Sequence, residues 1–232
     1  MIMRNGFSFL FLARLKSYMD LEIHMIPISL KLLSSHETGG GCYAAHFNRN
    51  GELLMGCHDG IHIYSGDYDM AERTVEGNHV TSIASNGVNY LIIEHKENQR
   101  LVTKSSSNLT NLDEIFNYGF PGRNSAFLAA TSKFVIACSK GSLVVYNFAT
   151  NLKTMQHLDF QPKVLRFDSV ENLFVTSTDG LHKYSQDDCG KLTPIWTCSE
   201  IVGAGGIAFT KCGDIVVQSY KGKQIYIISP QG

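Results

Sequence analysis

The 232-residue sequence predicts an all-β chain, a β-propeller of five visible four-stranded blades. Three observations carry that prediction. A hairpin-like unit recurs about every forty residues, the turns of these units are evenly spaced, and no helical run of useful length interrupts them. The hairpins read LLMGCHDGIHIYS from Leu53, LIIEHKENQRLVTKS from Leu91, FVIACSKGSLVVYN from Phe134, LFVTSTDGLHKYS from Leu173 and IVVQSYKGKQIYIIS from Ile215. Their turn positions, Gly60, Asn98, Gly141, Gly180 and Gly222, are 38, 43, 39 and 42 residues apart. Asp59-Gly60 and Asp179-Gly180 are two-residue hairpin signals, because glycine accepts the positive φ those turns demand.

Each hairpin supplies strands B and C of a blade, and a short apolar segment upstream supplies strand A. These segments are CYAAHFNRNG from Cys42, VTSIASNG from Val80, SAFLAATS from Ser125, KVLRFDSV from Lys163 and GIAFTKCG from Gly206. Weaker stretches, RTVEG from Arg73, LKTMQHL from Leu152 and IWTCSEI from Ile195, are expected as the outer strand D. Blades therefore start near residues 42, 79, 124, 162 and 204. The last unit stops after strand C, and residues 23–33 precede the first strand A, so these residues are expected to close the ring as its outer strand. Pro27 is tolerable on such an edge. A six-bladed propeller lacking one blade is the open alternative. Residues 1–20 read as a leader or poorly ordered segment: the apolar run Phe7 to Ala13 is followed directly by Arg14 and Lys16 and is too short to span a bilayer.

Composition narrows the function classes. With 44% hydrophobic and 18% charged residues the chain buries enough apolar surface to fold, and a net charge of -1 gives no whole-molecule attraction to polyanions. DNA and membrane are not expected as partners, and a monomer is expected. The six cysteines show no C-x-x-C spacing, which favours free thiols and a cytoplasmic setting; the sequon at Asn108 matters only in a secreted chain.

The last blade, Gly206 to Val217 and Ile225 to Gly232, resembles an NHL repeat, as does Asn98-Gln99-Arg100-Leu101 with Glu94 in the second blade. The chain from residue 42 onward thus resembles the C-terminal propeller of tripartite-motif proteins. The resemblance implies a non-catalytic module that binds protein or RNA at one face. It also implies that Glu94 and Arg100 pair across their hairpin. The RING, B-box and coiled coil of that family have no counterpart, since no zinc-ligand spacing precedes residue 41. WD40 and kelch signatures are absent.

Each candidate site competes with a packing role for the same residues. Cys57, His58 and His62 are the densest group of metal-ligand types, with Cys57 and His62 expected opposite each other across the turn. Two ligands do not complete a zinc site, however. Small residues three before each turn glycine, Cys57, Cys138, Ser177 and Ser219, read as blade packing, and Tyr64, Tyr146 and Tyr184 as a recurring strand-C position. Strand A offers His46, Ser82, Ser85, Thr131, Arg166, Asp168 and Lys211 to a central channel, where a calcium-dependent lactonase-like site would need several carboxylates. Asp168 is nearly alone, so no catalytic residue, metal or cofactor is expected. The expected function is a protein-protein interaction scaffold. The alternatives are single-stranded RNA binding through the basic B to C turn face, formed by Lys96, Arg100, Lys140, Lys221 and Lys223, and a channel-metal enzyme.

Overall fold

The computed structural model describes residues 41–48, 50–65, 71, 73–96, 99–106, 109, 112–117, 127–139 and 141–230. Blade 1 consists of β1 (Cys42–Phe47), β2 (Leu53–Cys57), β3 (Gly60–Tyr64) and β4 (Arg73–Glu76). Blade 2 follows with β5 (Val80–Ser85), β6 (Asn89–Lys96), β7 (Gln99–Ser106) and β8 (Asp113–Asn117). Blade 3 has β9 (Phe127–Ala130), β10 (Phe134–Ser139), β11 (Ser142–Asn147) and β12 (Lys153–His157). Blade 4 has β13 (Pro162–Phe167), β14 (Leu173–Ser177), β15 (Leu181–Gln186) and β16 (Leu192–Cys198). Blade 5 shows three strands among the described residues, β17 (Ala204–Phe209), β18 (Ile215–Ser219) and β19 (Gln224–Ile228). All pairings are antiparallel between sequence neighbours, as a propeller requires, and no helix occurs among the described residues.

One device repeats at every A to B turn. The polar residue just after strand A folds back to accept backbone N–H groups: Asn48 Oδ1 from Asn50 and Glu52, Asn86 Oδ1 from Val88 and Asn89, Thr131 Oγ1 from Lys133 and Phe134. Asp168 Oδ1 takes Val170 and Asn172, and Thr210 Oγ1 takes Asp214. Short polar side chains suit this position because they satisfy turn donors that the ladder cannot reach.

Blades pack face to face through apolar clusters. Leu54 and Ile61 of blade 1 meet Val80, Ile83 and Ile92 of blade 2; Leu91 and Ile93 meet Val135 and Ala137 of blade 3. Ile136 and Leu143 then meet Leu165, Leu173 and Val175, and Phe174 and Leu181 meet Ile207, Ile215 and Val217. Within each strand B, odd and even positions thus serve opposite neighbours, which explains why these strands are apolar on both faces. The innermost strands β1, β5, β9, β13 and β17 lie side by side in that order. No such cluster joins blade 5 to blade 1 among the described residues, and the expected closing strand at 23–33 and the leader at 1–20 lie outside them. On β19, whose outer edge has no partner strand among the described residues, Ile225 is 42% and Ile227 53% exposed.

The outer strands β4, β12 and β16 stand where weak segments were expected, and β8 was not anticipated. Tyr64, Tyr146 and Tyr184 do share a column, opposite Leu53, Val135 and Leu173. Two details are corrected by register. Cys57 pairs with Gly60, so the two-residue loop is His58-Asp59, and His62 stands opposite Met55 rather than Cys57. Glycine at 60 is required by the outer strand instead: with φ 140° its Cβ would lie 2.1 Å from the Val75 carbonyl oxygen. The blade 3 member of the small-residue column is Ser139, which pairs with Ser142 as Cys57 pairs with Gly60, and not Cys138.

Candidate functional site

The B to C turns and the connectors from strand D to the next strand A share one end of the ring. At this end strand A is irregular. The ladder with strand B slips between Cys42 and Ala44, between Val80 and Ser82, between Pro162 and Val164, and between Ala204 and Ile207. A bulge re-aims the extra side chain, and here it presents Tyr43 in blade 1 and Lys163 in blade 4.

Around Lys163 a cationic and aromatic group assembles. Its Nζ donates to the Tyr220 hydroxyl and lies 3.9 Å from the centre of that ring. Lys221 lays its stem over Gly203, where an added Cβ would come within 2.8 Å of the lysine Cγ. Tyr220 is 47% exposed and Val202, in the same connector as Gly203, 52%. Around Tyr43, 43% exposed, the neighbours are imidazoles: the Tyr43 ring lies 4.4 Å from His79, which stacks on His58 at 5.2 Å and on His95 at 5.0 Å. Burial and, secondarily, the nearby His58 hold His79 below the ordinary histidine pKa. Neither group was legible beforehand, because its members come from separate strands and only register brings them together.

Of the five basic residues singled out from sequence, Lys221 and Lys223 are exposed on the β18–β19 turn. Lys96 ends β6 and Arg100 is the second residue of β7, flanking the B to C turn of blade 2, with only their backbones described, and Lys140 lies outside the described residues. The side chain of Arg100, the expected partner of Glu94, lies outside what is described. Glu94 is buried and accepts from the Asn78 N–H at 3.0 Å, tying down the connector, while Arg100 is the ladder partner of His95. Ser219 does the equivalent work in blade 5 by donating to the Val202 carbonyl at 2.7 Å.

The channel candidates are engaged structurally. Asp168 also accepts from the Asn172 side-chain amide at 2.8 Å, so its carboxylate is committed to the A to B turn. Ser82 accepts the Leu128 N–H at 3.0 Å, joining blades 2 and 3, Ser85 accepts from Gly87, and His46 meets Tyr90 edge-on. Arg166 retains water access yet is ringed by protein, and that desolvation lowers its pKa. A lactonase-like cation site built on Asp168 loses its principal acid.

Cys57, Asp59 and His62 bring one donor atom each within 4.8 Å of one another, and His62 Nε2 lies 2.9 Å from Asp59 Oδ1. The natural fourth donor would be Cys42, but its Sγ is 2.7 Å from that of Cys57. Two thiolates on one tetrahedral zinc stand roughly 3.8 Å apart, from Zn–S bonds of about 2.3 Å. The cluster has the wrong spacing for zinc as it stands.

No family model matches the sequence, and no curated protein is detectably similar to it. Solved structures do match. A chain of the mitotic checkpoint complex superposes with a TM-score of 0.64 at 16% identity, covering 86% of this chain and 66% of that one. Virginiamycin B lyase from Staphylococcus aureus gives 0.60 at 13% identity over 83% and 68%, and a putative gluconolactonase 0.60 at 14% over 83% and 76%. This chain thus spans about two thirds of the length of the first two. At such identities the likeness establishes the fold: this is a β-propeller, an architecture shared by binding modules and enzymes alike.

Proposed function

We propose that the chain is a non-catalytic, protein-binding propeller whose contact face is the end carrying the B to C turns. The observation that carries this is the use of strand-A bulges to present Tyr43 and Lys163 there, beside exposed Tyr220 and Val202. Exposed tyrosines beside an exposed valine match the aromatic enrichment that marks protein interfaces. The resemblance to tripartite-motif propellers supports the same reading, as does the presence of a similar fold in the mitotic checkpoint complex.

A photo-reactive amino acid placed at position 220, and as a control at Ile195 on the outer strand, tests it. Cross-linked protein adducts are expected from position 220 and not from 195, and Tyr43→Ala should reduce them. Fluorescence anisotropy with a single-stranded RNA at low salt tests the alternative. RNA binding that weakens steeply with salt and disappears when Lys96, Arg100, Lys140, Lys221 and Lys223 become Gln would move the assignment to RNA.

A further inference from the structure

Cys42 and Cys57 are direct ladder partners across β1 and β2, at the bulged end of strand A. Their sulfurs lie 2.7 Å apart, as two unoxidised thiols. Closing a disulfide at 2.03–2.05 Å would need less than about 1 Å of movement, within reach of small side-chain rotations. None of Cys138, Cys189, Cys198 and Cys212 is a ladder partner of another cysteine. We propose that Cys42 and Cys57 form a redox-active dithiol that closes into a cross-strand disulfide by exchange with a small-molecule or protein disulfide.

Exposure sets the order of events. Cys42 is half-buried and Cys57 is 2% exposed, so the oxidant reaches Cys42 first. The Cys42 thiolate attacks the oxidant disulfide RSSR, one sulfur–sulfur bond breaks, and RS⁻ departs. Cys57 then gives up its proton to solvent and attacks the Cys42 sulfur of the mixed disulfide, expelling the second RS⁻. Two protein thiols and one RSSR become one protein disulfide and two RSH, with two electrons passed to the oxidant. The bond would pin the bulge at Tyr43, the residue that rests on His79, and would tie the start of β1 to the body of blade 1. The contact with Cys42 and, secondarily, burial push the Cys57 thiol pKa up, which fits Cys57 as the resolving rather than the attacking partner.

The full chain, purified reduced, is equilibrated with glutathione disulfide, quenched by alkylation and digested. The expected product is a peptide pair linked through Cys42 and Cys57, lighter by two hydrogen atoms, formed while exposed Cys189 and Cys212 still alkylate after mild reduction. Oxidation should raise the melting temperature by several degrees in the wild type, since the bridge closes a loop of 15 residues, and not in Cys42→Ser. In Cys57→Ser, glutathione should accumulate on Cys42, whereas in Cys42→Ser the buried Cys57 should stay unmodified. Full alkylation of both thiols under oxidising conditions, or links that involve other cysteines instead, would overturn the proposal. A Co²⁺ thiolate charge-transfer band in the reduced wild type, abolished by Cys42→Ser, would replace it with a metal site.

Discussion

Blades 1 and 4 carry nearly the same hairpin. Cys57-His58-Asp59-Gly60-Ile61-His62-Ile63-Tyr64 in one corresponds to Ser177-Thr178-Asp179-Gly180-Leu181-His182-Lys183-Tyr184 in the other. Both histidines face a threonine of the outer strand, Thr74 and Thr197. Yet they end in different places. His182 is 8% exposed, bonded to Ser177 Oγ and Thr197 Oγ1 at 3.1 Å each, and stacked on Phe160 at 3.8 Å. The side chain of His62 is 21% exposed and pairs instead with Asp59.

Two physical differences account for this. Ser177 Oγ accepts the N–H groups of Asp179 and Gly180 and also meets the imidazole, whereas sulfur at position 57 is a weak hydrogen-bonding group and turns to Cys42. Phe160, in the connector from blade 3, covers His182. The corresponding side of blade 1 has no apolar cluster with a preceding blade among the described residues. A shared Asp-Gly-x-His-x-Tyr pattern therefore becomes a closed polar core in one blade and a half-open thiol and imidazole cluster in the other.

The largest effect expected is from Gly180→Ala. The φ of 149° and a Cβ only 2.2 Å from the Cys198 carbonyl oxygen should destabilise the protein on the order of 3 kcal/mol, read as a lower denaturant midpoint. Gly60→Ala meets a similar obstruction, but β4 is a four-residue strand that can yield more readily than seven-residue β16, so its loss should be smaller. Equal losses would mean that strand length does not distinguish the blades.

Ser177→Ala should follow, at roughly 1–3 kcal/mol by thermal melting, because it strands two turn donors and a buried imidazole. Cys57→Ser, by contrast, should change stability by less than about 1 kcal/mol. If the two substitutions cost the same, the oxygen at 177 is not what separates the hairpins.

Acid should act next. Burial holds His182 below its ordinary pKa of 6.5, with Asp159 and Asp179 opposing only in part. The unfolded chain then takes up a proton before the folded one does, so this contribution is full above about pH 6.5 and is lost as pH falls below it. A series of melts from pH 7.5 to 5 should show a steeper decline in the wild type than in His182→Gln; parallel curves would contradict the burial argument. The smallest effect belongs to Asp59→Asn. Hydrogen bonding to His62 lowers the Asp59 pKa, so its contribution is present above the ordinary carboxylate range and lost in acid, but the pair is exposed and worth a few tenths of a kcal/mol at neutral pH.

Much of the architecture was legible in advance. Five hairpins, the strand-A segments and three outer strands could be read from apolar runs and turn glycines, because hydrophobic alternation and turn chemistry are properties of adjacent residues. β8 escaped because Asp113-Glu114-Ile115-Phe116-Asn117 has too little apolar pattern to announce a strand, and is one only because β7 offers it an edge. The repeated turn role of Asn48, Asn86, Thr131, Asp168 and Thr210 was present in the sequence, but Asp168 was set among channel candidates because its direction depends on the backbone after strand A.

By itself, then, the sequence determined a repeated four-stranded unit and so an all-β propeller. Which side chains meet was decided by tertiary structure alone. Partners at the far ends of a hairpin, such as Cys42 and Cys57, lie 15 residues apart, the side-chain period is two, and a single bulge shifts a side chain to a new direction. That is how Cys42 came to face Cys57, how Tyr43 and Lys163 were turned onto one end of the ring, and how two similar histidine hairpins acquired different chemistry.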